Sequence, residues 1–257
     1  MIFESHAHYD DEAFDKDREE LLTSFHDEGI GYVVNVGSTI EDSKRTIELT
    51  KTYPFIYGSI GVHPSETKDM NDDDISWLKQ MTSLDKIVAI GEIGLDYYWD
   101  NVERDVQKHW FERQMDLAKE VNLPVIIHSR DAASDTLDMI RSAKLDDNRG
   151  VLHCFAYSKE MAKQYIDMGF YIGIGGVLTF KNGRKLREVV EYIPLEYILL
   201  ETDSPYLAPE PNRGKRNDST NLKYVATEIA RIKNISYEEV IEITRNNGMK
   251  LFRIKDK

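Results

Sequence analysis

The chain has 257 residues, 41% of them hydrophobic and 31% charged, a balance that suits a folded soluble protein and excludes a disordered one. Its formal charge of −13, from 33 basic against 46 acidic residues, argues against non-specific coating of nucleic acid through phosphate neutralisation. The single cysteine, Cys154, rules out an intramolecular disulfide and fits a reducing compartment. The start Met1-Ile2-Phe3-Glu4-Ser5-His6 carries no secretory pattern, and no apolar run approaches the roughly 20 residues that cross a bilayer, so the expected location is the cytoplasm. A polyanionic substrate would need local cations, bound metal ions above all, to overcome the global field.

Short apolar, β-branched runs alternate with longer amphipathic stretches. In chain order the pattern predicts a strand over Met1–His6, a helix over Glu12–Glu28, a strand over Tyr32–Val36 and a helix over Ile40–Thr52. Strand Phe55–Val62, helix Asp72–Thr82, strand Ile87–Ile93 and helix Val102–Val121 follow. Then come strand Pro124–His128, helix Ala132–Ala143, strand Gly150–Phe155 and helix Lys159–Met168. The series closes with strand Phe170–Val177, helix Arg184–Tyr192, strand Tyr197–Glu201 and the helices Asn221–Lys233 and Tyr237–Phe252. Ser236 with Glu239 three residues on reads as a capping box. Such alternation implies βαβ units and a parallel sheet, and eight of them in this length predict a (β/α)8 TIM barrel as one domain, residues 1–257. An open doubly wound sheet is the runner-up, but its glycine-rich nucleotide fingerprint after the first strand is missing.

Ligand-type residues recur where the predicted strands end. His6 and His8 sit two apart on the first strand, so alternation aims both imidazoles to one side. Glu92 lies between two glycines straight after Ile87–Ile90, where a carboxylate is expensive to bury without a partner. His128, His153 and Asp203 end the fifth, sixth and eighth strands. In a barrel these ends converge on the face where active sites form. His26 and His109 lie in charged helical stretches and read as surface residues. His63, after the third strand, is expected to touch substrate or support the site rather than to bind metal.

Ser5-His6-Ala7-His8, Gly61-Val62-His63-Pro64, Gly91-Glu92-Ile93-Gly94-Leu95-Asp96-Tyr97, Ile127-His128-Ser129-Arg130, Leu152-His153-Cys154-Phe155 and Glu201-Thr202-Asp203-Ser204-Pro205 together resemble the TatD-type metal-dependent deoxyribonucleases, amidohydrolase-like barrels. The likeness runs over nearly the whole chain. It implies phosphodiester hydrolysis on DNA with two divalent ions: one held by His6, His8 and Asp203, a second by His128 and His153, and Glu92 bridging them. Two loops depart from the family pattern: Ala156-Tyr157 stands where Ser-Gly is usual, and Asp218-Ser219 where an acidic residue and proline are usual.

Imidazoles with carboxylates suit zinc or manganese and, less well, magnesium. On this expectation Glu92 and Asp203 are the catalytic carboxylates, with Asp203 orienting a water and accepting its proton. Arg130, Arg213, Lys215 and Arg216 are candidates for gripping phosphate, His63 for joining them, and Tyr97, Tyr98, Trp99 or Phe155 for stacking a terminal base. The expected partner is DNA, at single-stranded or 3′ ends, with no membrane and no obligate protein partner. Two other readings stay open: amide or ester hydrolysis by the same metal chemistry, including aminoacyl-tRNA deacylation, and a non-catalytic metal-binding protein.

Overall fold

The computed structural model describes residues 1–99, 101–145 and 149–255, and its contacts gather into two units. The first comprises Met1–Asn35 and His153–Lys257, the second Val36–Leu152.

In the first unit the strands are β1 (Ile2–Ala7), β2 (Ile30–Val36), β7 (Tyr171–Ile174) and β8 (Ile198–Leu200), with β3 to β6 in the other unit. β1 pairs in parallel with β2, Phe3 opposite Tyr32 and Ala7 opposite Asn35. β7 pairs in parallel with β8, Gly173 opposite Leu199. A parallel bridge between Ala7 and Ser204 lays the chain that leaves β8 beside β1, so the order is β7-β8-β1-β2. All six residues of β1 are buried, as expected of a parallel strand covered on both faces. The Phe3 ring stacks between Tyr32 and Phe252, 5.7 and 5.8 Å between centroids. The helices here are α1 (Arg18–Ser24), α6 (Lys159–Asp167), α7 (Arg184–Tyr192), α8 (Leu222–Lys233) and α9 (Tyr237–Leu251). The Ser236 side chain accepts from Glu239 N and starts α9 where the capping pattern predicts.

The second unit holds β3 (Ile56–Ile60), β4 (Ile87–Asp96), β5 (Val125–Arg130) and β6 (Gly150–Leu152), paired in parallel in that order. Its helices are α2 (Ile40–Thr52), α3 (Asp72–Met81), α4 (Arg104–Val121) and α5 (Ala133–Ala143). Every residue of β4 is buried. Thr39 caps α2, and Asn71 with Asp74 forms a full capping box on α3.

The expected elements are present in order, though the strands expected to reach Phe155 and Val177 stop at Leu152 and Ile174, and two further differences have a visible cause. The stretch expected as one helix over Glu12–Glu28 splits into a 3-10 turn at Glu12–Phe14 and α1. Arg18 spends its guanidinium on the carbonyls of Tyr9, Asp10 and Asp11, which satisfies a bent backbone that a continuous helix would have to straighten. β4 and β5 run further than expected, because their ladder continues through Gly94 opposite His128 to Asp96 opposite Arg130. Glu92 and His128 therefore stand inside their strands rather than at the ends.

Candidate metal centres

The first unit gathers its donors at the end of β1 and in the chain after β8. His6 Nε2 and His8 Nε2 lie 3.1 Å apart, and Asp203 Oδ1 is 3.7 Å from the first and 3.5 Å from the second. Asp203 reaches them because its backbone N donates to His6 O at 3.0 Å while φ is +56°, a left-handed conformation costly for a residue with a Cβ. Burial would raise the Asp203 carboxyl; the hydrogen bond from His8 and the charges of His153, His6 and His8 outweigh it and hold it below its ordinary value.

His153 follows β6, and its ring stacks on His6 with centroids 3.9 Å apart and planes 11° from parallel. Its Nδ1 is 3.9 Å from Glu201 Oε1, an oxygen that also accepts from the backbone N of Cys154. Glu201 is 1% exposed, and its Oε2 makes no hydrogen bond among the described residues. Burial pushes this carboxyl up to about 8, against the opposing charge of His153 and the Cys154 N–H. The space for Glu201 exists because position 173 is glycine: a Cβ there would sit 2.1 Å from Glu201 Oε2 and 3.0 Å from His153 Cα. Beneath this group lies Glu4, fully buried. Its Oε1 accepts from His6 N at 3.1 Å and Thr202 N at 2.9 Å, and its Oε2 from Ser219 Oγ at 2.9 Å. Burial raises Glu4 to about 7 despite these donors.

The second unit presents His63 after β3, Glu92 within β4 and His128 within β5. Glu92 Oε1 lies 2.9 Å from His128 Nδ1 and 3.7 Å from His63 Nε2. The outward nitrogens are both engaged: His63 Nδ1 with Ser65 Oγ at 2.8 Å, His128 Nε2 with Asp96 Oδ2 at 2.8 Å. Asp96 is 1% exposed. Burial works to raise its carboxyl, while hydrogen bonds from His128 and the backbone N–H groups of Trp99 and Tyr98 prevail and keep it below the ordinary value. At Gly94, φ is +147° and a Cβ would stand 1.9 Å from His128 O, so the β4–β5 approach that seats His128 excludes any other residue.

The donors suit a divalent ion. Imidazole nitrogens and a carboxylate oxygen converge within 4.8 Å in three sets: His6, His8 and Asp203; His6, His153 and Glu201; His63, Glu92 and His128. In the last set each imidazole aims one nitrogen at Glu92 and fixes its other nitrogen on a hydrogen-bond partner, the arrangement by which proteins orient histidine ligands.

Of the residues singled out from sequence, His6, His8 and Asp203 come together. His153 falls with His6 and Glu201, and His128 falls with Glu92 and His63, so His63 stands among the donors rather than behind them. Arg130 is exposed, its guanidinium 3.6 Å over the Tyr98 ring. Arg213 lies 4.2 Å over Phe180, and Lys215 is exposed on the loop after β8. Arg216, expected at a phosphate, is held within the chain: two 2.6 Å bonds to Asp17, one of 2.9 Å to Ala13 O, and Phe14 beneath it. Phe155 is 4% exposed and packs on Tyr157 and Tyr165, so it offers no ring to a base. Tyr97 is engaged through its hydroxyl with Asp135 at 2.7 Å and under Arg104. The residues that motif reasoning passed over are Glu4, Asp96 and Glu201. Each is a carboxylate inside or beside an apolar strand, the signal that singled out Glu92.

Histidine–carboxylate clusters carried on parallel strands of an alternating β/α chain define a metal-dependent hydrolase. The model of the TatD related DNase family matches residues 3–253. The chain is 44% identical over 254 residues to YabD of Bacillus subtilis (strain 168), described as an uncharacterized metal-dependent hydrolase, covering 99% of this chain and 100% of that one. It is 36% identical over 257 residues to YcfH of Escherichia coli (strain K12), described in the same words, covering 99% and 96%. Among solved structures, the TatD homolog YjjV from Escherichia coli K12 superposes with a TM-score of 0.93 at 29% identity over 99% of this chain and 98% of that one. A TatD family hydrolase from Entamoeba histolytica gives 0.86 at 25% identity, covering 98% of each. The chain belongs to the TatD family of metal-dependent hydrolases, and its fold is the (β/α)8 TIM barrel expected from sequence. Among the described residues no helix is long and apolar enough to cross a membrane.

Proposed function

We propose that the protein hydrolyses phosphodiester bonds of DNA, releasing nucleotides from the 3′ ends of single strands. The observation that carries this reading is the pair of donor sets, His6–His8–Asp203 and His63–Glu92–His128, each suited to one divalent ion. Such ions, when bound, lower the pKa of a water and offset the charge that builds on a phosphoryl oxygen. The chain's own residues do the rest. Asp203, held ionised beside the imidazoles, accepts the proton of the attacking water at its carboxylate. Glu201, through the Cys154 N–H, keeps the turn after His153 in its left-handed conformation, φ +46° at Cys154. Asp96 and Ser65 hold the rings of His128 and His63 in place.

Arg130 supports a phosphate substrate, because an exposed guanidinium two residues past His128 on the same face of β5 can fork onto phosphoryl oxygens. Arg213 and Lys215 on the exposed loop after β8 complete the basic set. A strand end suits the net charge of −13, since it presents fewer phosphates for the chain to neutralise than long duplex does. Zinc and manganese fit the imidazole-rich sets better than magnesium.

The test is hydrolysis of end-labelled single-stranded DNA across zinc, manganese and magnesium, beside amide, lactone and aminoacyl-ester substrates. A ladder shortening stepwise from the 3′ end, abolished by chelation, is the expected result. Turnover of an amide or aminoacyl ester with every phosphodiester left intact would overturn the nuclease reading and leave the metal-dependent hydrolase.

A further inference from the structure

The ends of β4 and β5 carry a surface that neither donor set uses. Asp96 and Arg130 are opposite one another in the last register pair, and Tyr97 N donates to Arg130 O at 2.9 Å. Beyond this pair the chain turns over the Asp96 side chain, whose Oδ1 accepts from Tyr98 N at 2.9 Å and Trp99 N at 3.1 Å. The turn throws both aromatic rings outward: Tyr98 is 53% and Trp99 55% exposed. Their centroids are 5.1 Å apart and their planes 87° from parallel. The Arg130 guanidinium lies 3.6 Å from the Tyr98 centroid and 5.8 Å from that of Trp99. Two large rings left in water beside a flat cation form a surface with π-faces and a phosphate-seeking fork together.

The surface is wired to the second donor set. Asp96 Oδ2 accepts from His128 Nε2, and His128 Nδ1 faces Glu92. One carboxylate therefore fixes both the His128 ring and the turn that displays Tyr98 and Trp99.

We propose that Tyr98, Trp99 and Arg130 form a stacking subsite for a nucleobase of the strand whose phosphate is handled at the Glu92–His128 set. Asp96 is the positioning residue that sets the spacing between ring and phosphate. The inference rests on the phosphodiester reading above. Stacking on a π-face reads no sequence, so the subsite accepts any base and acts on how a strand is seated.

The experiment uses the full chain loaded with metal and a fluorescein-labelled pentathymidylate whose linkages are phosphorothioates resistant to cleavage. A second strand of equal length and charge carries abasic sugars in place of the bases, and binding is read by anisotropy. The intact strand binds at least about tenfold more tightly than the abasic one, in line with the worth of one stacked base. In Trp99→Ala and Tyr98→Ala that ratio falls towards one; both rings are exposed, so the fold tolerates their loss. In Arg130→Lys, which keeps the charge but not the plane, the ratio falls part of the way. Equal binding of the two strands by the unaltered protein, or a ratio unchanged in Trp99→Ala, overturns the subsite alone. Binding of neither strand overturns the subsite together with the nuclease reading.

Discussion

The donors of the two units are built differently. In the first, His6 is fully buried and Asp203 and Cys154 are locked in left-handed backbone, with Glu4 and Glu201 sealed among apolar strands. In the second, His63 and His128 keep side-chain exposures of 14 and 16%, and their outward nitrogens lead to Ser65 and to Asp96, which also carries an open aromatic surface. The donors themselves are alike in exposure, 12 and 18% at His8 and Asp203 against 14 and 16% at His63 and His128. The difference lies in what stands behind them: the sealed set rests on buried carboxylates, and the open set leads out to exposed rings. Burying several carboxylates costs stability in water, so the sealed set draws its rigidity from backbone hydrogen bonds and from a negative charge that a cation would offset.

The largest effect is expected at Asp203. Asp203→Asn keeps the shape and removes the base, and turnover is expected to fall by about 10²–10⁴-fold while most of the metal stays bound. Single-turnover rates with metal analysis on the same sample check it; hydrolysis close to that of the unaltered protein removes Asp203 from the proton transfer.

The next effect lies in the pH dependence of the metal-free chain. Glu4 is raised from 4.5 to about 7 in the fold, so the folded state binds a proton that the unfolded chain has already released. Its contribution is fully present below 4.5 and is lost as pH rises through about 7, a fall of about 3 kcal/mol. Urea unfolding from pH 4 to 8 should show this decline on top of one from Glu201, which is raised to about 8, and Glu4→Gln should make the total fall shallower by the share of Glu4. A smaller effect belongs to the open set. Asp96→Asn should weaken metal at His63–Glu92–His128 by about 10–100-fold, read as the loss of one step in a metal titration while the step of the sealed set stays in place. Loss of both steps together would show that the two donor sets do not bind independently.

The smallest effect concerns Arg216. Its hydrogen bond holds Asp17 below the ordinary carboxylate value, so the pair contributes above that value and fades as pH falls through the depressed one. Both groups are in contact with water, and Arg216→Gln should lower the melting temperature by about 2 °C or less, with the difference vanishing at high salt. Calorimetry in low and high salt measures it.

How much of this was legible in the sequence divides along the same line. The histidines and Asp203 stood out because each closes an apolar run, and strand periodicity is a local signal. Glu4, Glu201 and Asp96 are as central but lie in register with the apolar residues around them. Their meaning depends on distant partners: Glu4 on Ser219, Glu201 on the space at Gly173, Asp96 on His128. From sequence His63 is expected at the substrate rather than among the donors, because nothing next to it looks like a ligand, whereas Glu92 and His128 reach it across two strands of the ladder. Arg216 looked free for the converse reason, since Asp17 is nearly two hundred residues away in sequence.

The bond from Asp203 N to His6 O also sets a timetable for making the protein. The donors of the open set all lie between residues 63 and 128, so they have been synthesised by the time the chain is half made. The sealed set needs His6 from the first strand and Asp203 from just beyond the last, and it stays open-jawed until almost the whole barrel has been translated. The pair of histidines is thus made long before its carboxylate partner, and the set cannot close until Asp203 has been added.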